Sequence, residues 1–124
     1  MKLLLDTHAL LWALSADRRL SKRARTAIED GQNDVLTSAV SAWEIAIKSS
    51  LGRLRAPTDL VGAAEMVGFV QRAITFADVD TLRGLPPLHR DPFDRMLIAQ
   101  ATTDSAVLVT RDALIRQYPI ATLW

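Results

Sequence analysis

The apolar positions of this chain alternate between short solid runs and helical spacings, and the two rhythms follow one another along the sequence. Leu3-Leu4-Leu5 is a solid run that stops at Asp6, the pattern of a fully buried strand delivering an acid at its tip. From Thr7 through His8, Ala9, Leu10, Leu11, Trp12, Ala13 and Leu14 the composition becomes helix-forming, with no glycine or proline between. Asp6 therefore stands at a strand-to-helix switch, where open α/β sheets place their ligands. An Asp ahead of an apolar helix is equally a good N-cap, and this stretch alone leaves both roles open.

Behind Ser21, a suitable N-cap, Leu20, Ala24, Ala27 and Ile28 recur at helical spacing. Gly31-Gln32-Asn33-Asp34 then punctuates the chain before a short second strand, Val35-Leu36-Thr37-Ser38, and a helix that opens at Ser41 and runs toward Leu51 and Gly52. Thr58 or Asp59 caps a further helix containing Leu60, Val61, Ala64 and Val67, which Gly68 ends. Ala73-Ile74-Thr75-Phe76 has the β-branched and aromatic character of a third strand, followed by one or two helical turns over Asp78–Leu82 and a rigid loop at Pro86-Pro87. A strong helix runs from Asp91 through Thr102, Ala106–Thr110 reads as another buried strand, and Pro119–Leu123 as a last short edge strand. Strands alternating with helices predict an α/β fold, with a central, mostly parallel sheet of four to five strands flanked by helices, in one domain over residues 1–124.

Hydrophobic content of 49% beside 23% charge is that of a globular chain and excludes disordered and membrane classes. The leucine run after Lys2 is broken by Asp6 and His8, too soon for a signal peptide, so the chain reads as cytoplasmic with no membrane association. Without cysteine there is no disulfide framework and no thiolate site; carboxylates, two histidines and hydroxyls remain, a repertoire that favours hard metals. A net charge of +1 does not itself argue for nucleic acid, although arginine supplies twelve of the fifteen cations and suits bidentate phosphate contacts. The run Arg18, Arg19, Lys22, Arg23 and Arg25 reads first as a solvated face, with an RNA backbone contact as the alternative.

Three more acids share the position of Asp6, and each has a local explanation. Glu44 follows Ser41 by three residues, a capping box. Asp91-Pro92-Phe93-Asp94 supplies a cap, a proline at the first helical position and an acid in the first turn. Asp112 could cap a short helix containing Leu114 and Ile115. Capping does not explain why Asp6 and Asp112 leave apolar strands in the same sense, which in a parallel sheet brings them to one rim. Crowded carboxylates raise one another's pKa unless a cation intervenes, so the cluster is a natural Mg²⁺ or Mn²⁺ site suited to phosphoryl chemistry. Asp94 precedes Leu97 and Ile98 by three and four residues, above the face that should pack on the sheet, and so points toward Asp6. Asp91, held extended by Pro92, reads as the helix cap. For Thr7, Ser38 and Thr110, beside the acids, backbone capping is preferred over orienting ligands or water.

LLLDTHALLW, SAVSAWEIAIKSSLGRL, HRDPFDRMLIAQA and LVTRD occur in one order and spacing that strongly resembles a PIN-domain toxin of the VapC type, over essentially the whole chain. HRDPFDRMLIAQA is the most specific part. The resemblance implies a metal-dependent endoribonuclease using Mg²⁺ or Mn²⁺, the toxin half of a type II toxin–antitoxin pair, with RNA as substrate and a cognate antitoxin as partner. By motif position it implies that Asp6, Glu44, Asp94 and Asp112 are the catalytic, metal-binding acids, whereas His8 falls where family members vary. A phosphatase or DNA-directed nuclease on the same acids, and a binding module whose acids only cap helices, are the competing classes. Trp12, Trp43, Phe69, Phe93 and Trp124 are assigned to packing. Apolar residues in 51–60 and 61–69 exceed what one small sheet covers, which with the resemblance predicts a homodimer, and an antitoxin whose C-terminal segment lies across the acid rim with a basic side chain toward the carboxylates.

Overall fold

The leucine run does become the centre of the sheet. In the computed structural model, which describes residues 1–124, the chain forms β1 (Lys2–Leu5), α1 (Thr7–Leu14), α2 (Lys22–Glu29), β2 (Asp34–Ser38), α3 (Ala39–Ser50) and α4 (Leu60–Met66). It continues with β3 (Val70–Arg72), α5 (Phe76–Arg83), α6 (Pro92–Asp104), β4 (Val107–Val109), a short 3₁₀ helix (Ile115–Gln117) and β5 (Thr122–Leu123). The five strands lie in the order β3-β2-β1-β4-β5, every pair parallel, with Leu4 opposite Leu36 on one side and Leu108 on the other. The α/β architecture expected from the sequence is therefore present, and the sheet is wholly parallel.

The strand's two-residue alternation divides the core. Leu3 and Leu5 face Ala9, Leu10 and Trp12 of α1 and Ala24 of α2, while Leu4 faces Leu97, Ile98 and Ala101 of α6. All three leucines are fully buried, each stabilising the fold by about 1.5–3 kcal/mol on area grounds. Because β2 and β4 flank β1 on opposite sides, the chain changes direction across the sheet beside β1, and the carboxyl ends of β1 and β4 bound the resulting crevice. No helix is long and apolar enough to cross a membrane.

Two expectations need correction. The third strand is Val70–Arg72, not Ala73–Phe76. Thr75 is instead the N-cap of α5 in a complete capping box, its hydroxyl accepting from the Asp78 N–H while the Asp78 carboxylate accepts from the Thr75 N–H. That reciprocal pair outweighs the β-propensity of Ile74 and Phe76, whose side chains are left exposed. Likewise α3 starts at Ala39, capped by Ser38, whose hydroxyl accepts from the Val40 N–H; Ser41 and Glu44 lie inside the helix and make no capping box.

Candidate active site

The crevice at the ends of β1 and β4 is a pocket of about 310 Å³ lined by Asp6, Thr7, His8, Trp12, Glu44, Lys48, Asp91, Asp94, Arg111, Asp112 and Trp124. All four acids singled out from the sequence are there, with Asp91 as a fifth. A roomier cleft of about 530 Å³ lies beside Asn33 and Asp34, at the opening of β2, the end of a parallel sheet where ligands are not expected.

Asp6 does both things the sequence allowed. Its Oδ1 accepts from the Ala9 N–H at 2.8 Å, capping α1, while its backbone N–H pairs with the Val109 carbonyl and so fixes the acid at the junction of β1 and β4. Burial pushes its carboxyl above the ordinary aspartate value against the stabilising Thr110 hydroxyl and Ala9 N–H, and the charge of Asp112 adds to the rise. Glu44 reaches the pocket from α3, where Thr7 Oγ1 donates to its Oε1 at 2.6 Å and Lys48, one turn on, pairs with Oε2. Its hydrogen bond to the Glu44 carboxylate in turn holds the Lys48 ammonium above its usual value.

The entry of α6 gives its two acids different surroundings. Asp91 Oδ1 caps it, accepting from the Phe93 and Asp94 N–H groups at 2.8 and 3.0 Å, whereas the Asp94 side chain caps nothing; both carboxylates line the pocket. Burial first, and then repulsion from Asp91, Glu44 and Asp6, raise the Asp94 carboxyl to about 7, with His89 opposing the rise. Asp112 has the reverse balance. Burial works against its charge, but the hydrogen bond from His89 and the N–H groups of Leu114 and Ile115 outweigh it and hold its carboxyl low.

His89 was not recognised from the sequence. Its Nε2 lies 3.1 Å from Asp94 Oδ2 and 3.2 Å from Asp112 Oδ2, and its Nδ1 accepts from the Asp91 N–H at 3.1 Å. An Nδ1 that accepts leaves the ring proton on Nε2, so by this hydrogen-bond pattern His89 donates to Asp112, with Asp94 Oδ2 close beside the same nitrogen. These three side chains bring ligand-type atoms within 4.8 Å of one another, but the donated Nε2–H makes His89 a brace for the carboxylates rather than a metal ligand in this tautomer. The loop carrying it is held by Tyr118, whose hydroxyl accepts from the His89 N–H at 2.9 Å and donates to the Pro86 carbonyl at 2.8 Å. The only signal in the sequence was its position two residues before Asp91.

The remaining candidates divide. Thr7 orients Glu44 instead of capping a helix, a correction to the preferred reading, while Ser38 caps α3 and donates to Gln100 Oε1. Thr110 accepts from the Asp112 N–H and hydrogen-bonds Asp6 through its side chain. Trp12, Phe69, Phe93 and Trp124 pack as expected, but Trp43 is 57% exposed, touching Phe93 edge-on; its place on the outer face of α3 overrides its hydrophobicity.

A parallel sheet whose switch point gathers five carboxylates defines a class, the open α/β folds with an acid-lined crevice at the carboxyl ends of their strands. Within it the chain belongs to the PIN-domain family, whose family model matches residues 3–121. No curated protein sequence matches the chain significantly. Among solved structures it is similar to VapBC2 from Rickettsia felis bound to a DNA fragment from the promoter, with a TM-score of 0.70 and 13% identity over 99% of this chain and 98% of that one. VapBC-1 from nontypeable Haemophilus influenzae (TM-score 0.64, 15% identity, 99% and 97% covered) and FitAcB from Neisseria gonorrhoeae (0.61, 16%, 98% and 96%) are similar over the same extent. At such identities what is shared is the fold.

Proposed function

We propose that the protein is a metal-dependent endoribonuclease, the toxin component of a type II toxin–antitoxin pair. The observation that carries the reading is the convergence of Asp6, Glu44, Asp94 and Asp112 from four separate elements on one crevice, at the cost of a carboxyl raised to about 7. A set of crowded carboxylate oxygens, those of Asp6 and Glu44 buried, with too few cations to balance them fits a hard divalent ion, Mg²⁺ or Mn²⁺, and these four acids would hold it. When bound, such an ion supplies Lewis-acid polarisation of a phosphodiester and a water of lowered pKa.

The chain's own residues do the positioning. Thr7 and Lys48 fix the Glu44 carboxylate, Thr110 and the Ala9 N–H fix Asp6, and His89 holds Asp94 and Asp112 at one spacing. Arg111 at the pocket wall offers a guanidinium to a substrate phosphate. The likeness to VapBC and FitAcB structures supports an antitoxin partner, whose basic side chain would neutralise the acid rim. Exposed Leu51, Val61, Met66 and Val67 support a homodimer. The protein would act in the cytoplasm, on RNA. Incubation with labelled RNA, DNA and a phosphate monoester, each with Mg²⁺ and with EDTA, tests this. Internal cleavage of RNA alone, abolished by EDTA, is expected; cleavage of DNA or the monoester in preference to RNA would overturn it.

A further inference from the structure

The acid pocket does not end at its own wall. His8 and Trp12 also line a neighbouring groove of about 550 Å³, completed by Leu11, Ser15, Asp17, Arg19 and the segment Arg53–Pro57. This groove has the opposite character, with three arginines against one aspartate. The aspartate is already committed, since Asp17 takes Arg19 in a two-pronged pair at 3.0 and 2.8 Å. Arg53 and Arg55 are exposed and make no ion pair.

The segment is built to present them. Leu54 and Ala56 pack against the core cluster beneath α1, so the alternate residues Arg53 and Arg55 are turned to solvent. The Arg53 N–H bonds the Lys48 carbonyl at 2.9 Å, which ties the segment to the helix that carries Glu44. Between the two grooves Arg111 and Arg19 both stack on the Trp12 ring, at 4.5 and 5.0 Å from its centre, and the exposed His8 ring rests against Trp12 with centroids 5.3 Å apart. An aromatic face open to solvent and backed by a fixed tryptophan is a stacking platform for an unpaired base.

We propose that this groove is the site for the nucleotides flanking the scissile bond: single-stranded RNA leaves the acid pocket past Arg111, stacks a base on His8, and sets the following backbone phosphates on Arg53 and Arg55. The inference rests on the ribonuclease reading and adds the path of the strand to it. Single strands are favoured over duplex because a base already stacked in a helix cannot use the His8 face. Short substrates that end at His8 gain nothing from the arginines, whereas longer ones do.

The test is fluorescence anisotropy of a labelled single-stranded RNA in EDTA, across a salt series, beside Mg²⁺-dependent cleavage of the same RNA. The double variant Arg53→Ala with Arg55→Ala is compared with Lys22→Ala with Arg23→Ala, which removes the same charge from an exposed face lining neither groove. The first should bind about tenfold or more weakly and lower the slope of log K against log salt by about 1.4, two phosphate contacts at about 0.7 each. The second should match the parent. Equal losses in both variants, or no loss in the first, would overturn the proposal, as would intact RNA binding with lost capture of a co-expressed antitoxin, which would make the groove a protein-docking surface. If the parent cleaves RNA and only the arginine dependence is missing, the strand path alone is wrong. If the parent neither binds nor cleaves RNA, the ribonuclease reading falls with it.

Discussion

The hydroxyl of Thr7, the residue immediately after Asp6, donates to Glu44 Oε1 at 2.6 Å, tying the acid at the end of β1 to the acid of α3. Both residues are buried, and the same hydroxyl also lies 3.2 Å from Ser41 Oγ on α3. Thr7→Val keeps the shape and deletes the donor. It is expected to cost about 1.5–3 kcal/mol of stability, the range for hydrogen bonds to charged groups, and to lower cleavage about 10–100-fold, as loss of a ligand-orienting partner does. Urea melts and initial rates on the same preparations check this; an unchanged rate would mean that Glu44 needs no orientation.

What the sequence conveyed and what it hid follow from the range of the forces involved. Asp6 at the end of β1, Asp112 after β4 and Asp91 as the cap of α6 were legible because strand runs and helix spacing are local. Glu44 was seen as a candidate but its partner was misjudged. Ser38 and Ser41 are both good caps, and only packing across 37 residues, from Thr7 to Glu44, distinguishes which one starts the helix. His89 was missed for the same reason: its partner Asp112 lies 23 residues away. The third strand was misplaced because Ile74 and Phe76 look like strand residues and are in fact exposed beside a capping box.

Asp91 and Asp94 should separate on mutation. Asp91→Ala strips the cap from two N–H groups and should cost about 1 kcal/mol while retaining substantial cleavage. Asp94→Ala removes a carboxyl that burial and its neighbours already penalise, so stability should hold or rise while cleavage falls by orders of magnitude. Melting curves and rates in saturating Mg²⁺ decide, and the reverse ranking would show Asp91 to be the acid that matters.

The raised Asp94 carboxyl also fixes the pH response. Between the ordinary aspartate value and about 7 the folded chain holds a proton there that the unfolded chain has lost, so metal-free stability from this group falls as pH rises through that window. A divalent cation must displace the same proton. Mg²⁺ binding at pH 6 should release a proton and tighten with rising pH up to about 7, then level off, and titration calorimetry in two buffers of different ionisation enthalpy reads this directly. Binding at pH 6 with no proton release would contradict it.

Away from the site, Arg72 grips the fully buried Asp78 at 2.6 and 2.8 Å and Asp104 at 2.7 and 3.1 Å, joining β3, α5 and α6. Burial opposes the Asp78 charge, yet Arg72, the Thr75 N–H and Gln100 outweigh it and hold the carboxyl at about 2. Its folded value is depressed, so its contribution is present above the ordinary aspartate value and lost as pH falls through about 2. Arg72→Ala leaves that carboxylate unpaired and should cost about 3–5 kcal/mol at neutral pH. Denaturant melts from pH 2 to 7 test both; a variant as stable as the parent at pH 7 would show the pair to be dispensable.

The claim that these acids form a metal-dependent catalytic centre is tested most directly at Asp6, where capping and chemistry meet in one side chain. Asp6→Asn keeps an acceptor for the Ala9 N–H and removes the charge. Cleavage of a labelled RNA by parent and variant, with Mg²⁺ and with EDTA, and with circular dichroism to verify folding, is the measurement. The expected result is a folded variant with no cleavage above the EDTA control. A folded variant that cleaves at the parental rate in Mg²⁺ would contradict the account.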